Sequence, residues 1–430
     1  TLINEMPKPH QKVLAYNKIY HEINKEYGFN DANEWLKNEY DGHLYMHDAN
    51  TTSFVHYCFA YDLKDLAERG LFFIEHHNAE PAQHLDVFID FVKEFVSYVE
   101  NRSSGACGLP NLIPYMYYFW SRDVKEGYYT RTPQKYAEHQ IQRLIYAFNQ
   151  PYTRNGIQSA FTNVSFFDRS YLEALFGGST FPDGEFMIDE MEGIMEFQKT
   201  FLTIMSDIRA KNMMTFPVST ISLLKKDGKF ADEEFAVWAC KHNMKWNDSN
   251  LFIDDSVTSL SNCCRLKSNI KDLGYFNSIG GTALKVGSVK VSTINLARLA
   301  LEHRSETGYL EALKKLVIID LKALDRVRYI IQRNVEKGLL KNFSYGLVDF
   351  EHLYNTIGFI GIYETMKTFG YTTTDEFGNV YYTDKAMEFG RKIFEVIHTT
   401  KDEFGADKDY SINTEQIPGE SAAAKLMKKD

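Results

Sequence analysis

Only five cysteines occur in 430 residues, an odd and small number that excludes a disulfide framework and fits a reducing compartment. No stretch approaches the roughly 18 consecutive apolar residues that cross a bilayer, and the N-terminus lacks the basic-then-apolar layout of a secretory leader. Neither a membrane nor secretion is expected, so the chain reads as cytoplasmic. Basic charge is also scarce: the net charge of -10 excludes a surface that gathers nucleic acid phosphates by bulk electrostatics. Any phosphate site must be local. No C-x-x-C is present, which argues against a zinc ribbon, and no repeat, low-complexity tract or Pro/Ser/Gly linker marks a boundary. Residues 1–430 read as one domain.

What is present suits a large core, since 44% of the residues are hydrophobic. Residues 9–27 and 33–40 carry helical patterns, and 81–101 places Leu85, Phe88, Phe91, Val92, Phe95 and Val99 at helical spacing. The segments 105–118 and 149–163 are rich in turn formers and read as loops feeding short strands. A helix over 187–211 precedes a β-branched strand over 214–223, a strand over 286–294 precedes a helix that Asn295 can cap, and 310–339 is the longest helical pattern. Residues 356–363 read as a strand, 371–383 as a hairpin turning at Gly378-Asn379, and 384–398 as a helix. Apolar strands spaced by long helices predict a parallel α/β arrangement, covered on both faces or closed into a barrel.

Two adjacent thiols stand out in Asn262-Cys263-Cys264-Arg265, on a turn-prone stretch between polar neighbours. Adjacent cysteines suit a single tetrahedral metal site poorly, and both cannot pack as core. A cysteine is a nucleophile only as thiolate and a hydrogen-atom acceptor only as thiyl radical, so its surroundings decide its use. Cys58 lies in an apolar, aromatic run and Cys240 within a helical one; core packing explains either by itself. Near the end, Pro418-Gly419-Glu420-Ser421-Ala422-Ala423 places turn residues before strong helix formers. A helix start offers free N–H groups to a phosphate, with Gly419 permitting close approach and Ser421 adding a hydroxyl. Just upstream, Asn413 and Glu415 alternate on a strand, so both project to one face, where a carboxylate can take a hydroxyl proton.

These stretches, in this order, resemble the anaerobic, class III, glycyl-radical ribonucleotide reductases. The resemblance rests on Met46-His47-Asp48, Tyr57-Cys58-Phe59 through Asp62-Leu63, 158–163, Phe216-Pro217-Val218, Asn262 to Leu266, Gly287-Ser288-Val289 through Leu296, and Pro418-Gly419-Glu420-Ser421. It implies a ten-stranded α/β barrel with a central finger loop whose tip carries the radical cysteine. That cysteine is Cys264 by its place before Arg265, with Cys263 the alternative; Cys58 supplies reducing equivalents, Glu415 is the general base and Asn413 holds ribose hydroxyls. Gly419, Glu420, Ser421 and Ala422 would anchor the substrate phosphates. The reaction implied is anaerobic reduction of ribonucleotides, as triphosphates, to deoxyribonucleotides in a homodimer regulated by dNTP and ATP effectors.

The family further implies a glycyl radical generated by a radical-SAM activase and a structural zinc, both on a C-terminal domain. That domain does not follow Asp430, and the family's N-terminal ATP-cone does not precede Thr1, so 1–430 reads as the catalytic barrel core, expected to be inactive alone. No metal ligand is assigned within it. Formate-using members carry an asparagine where this chain has Leu284-Lys285-Val286-Gly287. A thioredoxin- or glutaredoxin-like dithiol protein is therefore the expected reductant. Two other readings remain open from the sequence: an inactive nucleotide-binding, effector-sensing core, and a glycyl radical enzyme of the formate-lyase type.

Overall fold

The computed structural model describes residues 7–49, 54–153, 156, 158–255, 259–261, 267–269, 284–415 and 420–428. Its strands are β1 (Leu44–Met46), β2 (Phe59–Ala60), β3 (Cys107–Leu109), β4 (Thr162–Phe167), β5 (Val218–Lys226), β6 (Lys229–Phe230) and β7 (Ser249–Asp254). These are followed by β8 (Ser259–Ser261), β9 (Lys267–Asn269), β10 (Val286–Asn295), β11 (Leu353–Ile360), β12 (Thr372–Thr374), β13 (Val380–Tyr382) and β14 (Ile412–Glu415). Ten of them, β1 to β7 with β10, β11 and β14, belong to one mostly parallel sheet, the mixed α/β class the strand and helix pattern predicts. The finger loop, with Cys263 and Cys264, lies outside the described residues.

The chain forms two compact units, each assembled from separate segments: Thr1–Tyr57, Ser288–Leu339 and Leu353–Asp430 make one, Cys58–Gly287 and Leu340–His352 the other. In the second unit β2, β3, β4, β5 and β7 are hydrogen-bonded in that order and all parallel. Parallel neighbours need long crossovers, and helices supply them. Leu85–Glu100 turns Leu85, Phe88, Ile89, Val92, Phe95, Val96 and Val99 inward, the stripe legible in the sequence. All six residues of β4 are buried, as a strand covered on both faces requires.

One expectation fails here. Residues 112–118, read as part of a loop over 105–118, instead belong to the helix Leu112–Glu126 behind the short β3. Tyr115, Met116, Tyr117, Tyr118 and Phe119 are all buried on it, so the apolar residues run consecutively instead of marking one face. A helix covered on nearly every side loses the 3.6-residue signature that would reveal it. Similarly, Ile362–Thr368 is a helix where the sequence suggested a continuing strand, because Gly361 adopts a left-handed φ of 88° and ends β11.

In the first unit β11 pairs with β14 in parallel, and β1 lies antiparallel on β10. Asn295 caps the helix Leu296–Glu302 as expected, its side chain accepting the Arg298 N–H at 3.2 Å. The long helix Glu306–Glu336 buries Leu313, Val317, Leu321, Leu324, Val327 and Ile331, and Arg328 donates to the Leu353 carbonyl at 2.6 Å to tie the helix to the start of β11.

Asp320, on the inner face of that helix, is completely buried, and burial pushes its carboxyl up to about 7. The folded state therefore holds the proton after the unfolded chain has released it. Its contribution to stability is full below the ordinary carboxyl pKa near 4 and is lost as pH rises to about 7. The Asp320→Asn variant is expected to remove this dependence and to be more stable than the parent at pH 8 by a few kcal/mol, to order of magnitude. Urea midpoints at pH 5 and pH 8 check it; an equal shift at both would refute the buried-proton account.

Candidate active site

In the second unit Cys58 stands immediately before β2, 5% exposed, and its Sγ accepts the Ala106 N–H at 3.2 Å. A backbone donor on sulfur fixes the thiol's direction. Cys107 is a second buried cysteine in this unit, which the sequence reading did not single out. It sits directly beside Phe59 in parallel register, so its side chain shares Phe59's face while Cys58 points to the opposite one. The period of two along a strand thus divides two equally buried thiols, and only a register reveals it.

Gly287, the second residue of β10, lies opposite Phe59, and its α-carbon is pressed against the Cys58 backbone. A Cβ there would lie 2.1 Å from the Cys58 carbonyl oxygen and 2.9 Å from the Phe59 Cα, so no side chain fits without moving the cysteine. Ahead of it Leu284 is buried and Lys285 takes a left-handed φ of 62° while donating to the Ala60 carbonyl at 2.7 Å. After β2, Asp62 accepts from the Asn111 amide at 2.7 Å, and Asn111 in turn accepts the Leu63 N–H at 3.2 Å. This ties the Cys58 segment to the chain leaving β3.

In the first unit, β14 carries Asn413 and Glu415. The register pairs Thr356 with Asn413 and Gly358 with Glu415, so all four lie on one face of β11 and β14, as the alternation of Asn413 and Glu415 predicts. Glu415 is buried, and Gly358 beside it contributes no side chain. Thr356 meets Ser288 of β10 through their hydroxyls at 2.9 Å, which extends the polar face to a third strand. The Asn413 Nδ2 is buried and makes no hydrogen bond among the described residues.

The helix Glu420–Met427 follows β14. Ala422 and Leu426 pack with Ile360 on Tyr45, which anchors the helix against β1. Gly419 lies outside the described residues, as do the side chains of Glu420 and Ser421. Next to Tyr45, the His47 ring is 4.8 Å away edge-on and bonds the Thr293 hydroxyl at 2.8 Å. Burial, then the Lys290 and Lys425 ammonium groups, push His47 down to about 3. It is a neutral imidazole at physiological pH. Lys290, fully buried, lies 5.9 Å from the Tyr57 ring centroid. His47 is a landmark of the resemblance read from the sequence, whereas Lys290 is not singled out there.

A serine, a histidine and an aspartate also meet in the second unit, without the order that activates a nucleophile. Ser206 Oγ bonds Asp248 directly at 2.7 Å, the Leu202 carbonyl at 2.9 Å and His242 Nε2 at 3.0 Å, in a fully buried position. The cluster pins the helix Met191–Arg209 to the residue before β7. Cys240, on the helix Glu233–Trp246, is half-buried. Among the described residues no three His, Cys, Asp or Glu side chains gather to hold a metal ion, and no helix is long and apolar enough to cross a membrane.

A large, mostly parallel sheet of ten strands accompanied by many helices is the framework of an oxidoreductase of the ribonucleotide reductase class. Residues 4–430 match the family model described as anaerobic ribonucleoside-triphosphate reductase, and the chain belongs to that family. No curated protein matches it. Among solved structures, the anaerobic ribonucleotide reductase from Thermotoga maritima in complex with dATP and CTP is 38% identical, with a TM-score of 0.89 over 99% of this chain and 70% of that one. The same enzyme with dATP in its specificity site is 38% identical with a TM-score of 0.89, over 99% and 71% of the two chains. With glycerol in its active site it is 39% identical with a TM-score of 0.88, over 99% and 70%. The reaction is the reduction of ribonucleotides to deoxyribonucleotides. These matches set aside both the inactive effector-sensing core and the formate-lyase type.

Proposed function

We propose that the chain reduces ribonucleoside triphosphates by thiyl-radical chemistry, with Cys264 as the radical cysteine, Cys58 as the reducing thiol and Glu415 as the base. The observation that carries this reading is the geometry of Cys58: a buried sulfur oriented by the Ala106 N–H, on the strand face opposite Cys107. A glycyl radical, installed by a radical-SAM activase, supplies the oxidising equivalent that converts the Cys264 thiol to a thiyl. That sulfur takes the hydrogen atom from C3′ of the ribose while Glu415 accepts the 3′-hydroxyl proton. The 2′-hydroxyl then leaves with a proton as water. Cys58 delivers a hydrogen atom to C2′, a partner dithiol restores the Cys58 hydrogen and supplies the second electron as it becomes a disulfide, Glu415 returns its proton to the 3′-oxygen, and the Cys264 thiol gives its hydrogen atom back to C3′ and becomes thiyl again. Asn413 holds the ribose hydroxyls during these steps, and the helix start from Gly419 to Ala422 binds the phosphates.

The reductant we propose is a thioredoxin- or glutaredoxin-like protein. Leu284 and Lys285 stand where formate-using relatives of the family carry an asparagine, and neither supplies an amide. Reduced thioredoxin is expected to sustain turnover of the full-length, activated enzyme and formate is not; Cys58→Ala should yield no deoxynucleotide above background with either. Product formation from formate, or an active Cys58→Ala enzyme, would overturn the assignment. Effector dNTPs and ATP, a homodimer, a cytoplasmic location and a structural zinc beside the radical glycine complete the proposal. The dATP in the specificity site of the Thermotoga maritima enzyme supports its regulatory part.

A further inference from the structure

We propose that Thr356 binds the ribose 2′-hydroxyl of the substrate as a hydrogen-bond acceptor, and that Ser288 is the positioning residue that makes it one. The inference rests on the reading above, in which Asn413 and Glu415 face the sugar. It follows from counting hydroxyl hydrogens. Ser288 Oγ donates to the Lys290 carbonyl oxygen at 3.0 Å, and a serine has one hydroxyl hydrogen to give. In its 2.9 Å contact with Thr356 it can then only accept, so the Thr356 hydrogen points at Ser288 and the Thr356 lone pairs are left facing away from it.

Thr356 is completely buried and lies level with Asn413 on the neighbouring strand. Asn413 presents the opposite capacity, a buried Nδ2 donor with no acceptor among the described residues. An acceptor and a donor side by side on one strand face match a group that both gives and receives one hydrogen bond, which is a hydroxyl. Glu415 is two residues further along, across from Gly358, which contributes no side chain. A vicinal diol spans such a pair of stations. With the 3′-hydroxyl at Glu415, the 2′-hydroxyl falls to Thr356 and Asn413. Leaving either buried group unpaired costs affinity, so the arrangement favours a ribonucleotide over its own product.

Binding tests this without any radical. In the full-length enzyme with its effector site saturated by dATP, CTP is expected to bind about 10-fold more tightly than dCTP, the size of one hydrogen bond to a buried partner. Thr356→Val keeps the β-branched shape and lacks the hydroxyl. It should bring CTP affinity down to that of dCTP while leaving dCTP and dATP affinities unchanged. Thr356→Ser should retain the discrimination, and Ser288→Ala, which frees the threonine to rotate, should reduce it about 3-fold. Full discrimination in Thr356→Val, or an equal loss for CTP and dCTP, would overturn the inference alone. A parent enzyme that binds neither CTP nor dCTP would overturn both this inference and the reading it rests on.

Discussion

Replacing Cys264 by alanine is expected to leave no deoxynucleotide formation above background, while Cys263→Ala keeps kcat within about threefold of the parent. The assignment rests on the place of Cys264 directly before Arg265, with Cys263 the alternative. Alanine has no atom that can accept the 3′ hydrogen. Serine should do no better, since its O–H bond is much stronger than an S–H bond and a reversible exchange with a sugar C–H is then blocked. Product assays on the activated full-length enzyme, together with an electron paramagnetic resonance check that the glycyl radical is installed equally in all variants, decide it. An active Cys264→Ala enzyme would sink the assignment, and an inactive Cys263→Ala beside an active Cys264→Ala would transfer the role to the neighbour.

Glu415→Gln is the second large effect. Glutamine retains the shape and hydrogen-bonding reach of the side chain and loses the basic oxygen, so kcat should fall by about 10² to 10⁴ while KM moves little. The carboxylate is buried on the face it shares with Asn413, Thr356 and Gly358. A fall in kcat of less than tenfold would show that the 3′-hydroxyl proton leaves by another route. A rise in KM with kcat intact would instead make Glu415 a binding group.

Part of the arrangement was legible before any coordinates, for particular reasons. The aromatic surroundings of Cys58 alone suit core packing, and the family resemblance singled it out, whereas the alternation of a strand put Asn413 and Glu415 on one face, as their pairing with Thr356 and Gly358 bears out. The long helix Glu306–Glu336 and the stripe of Leu85–Glu100 were read from their spacing. The helix Leu112–Glu126 was not, because nearly all of its surface is buried and amphipathic periodicity disappears when every face is apolar. Ser288 and Thr356 are 68 positions apart, and nothing local marks either as one half of a pair.

From its residues alone this chain was read as an α/β protein that bears the motif order of a radical reductase, because hydrophobic spacing and short motifs are written locally. Tertiary structure alone decided which of two buried thiols, Cys58 or Cys107, turns away from Phe59, and which hydroxyls stand level with Asn413. Strand register makes those decisions: a shift of one residue reverses every side chain's face, and register is set by neighbouring strands far away in the chain.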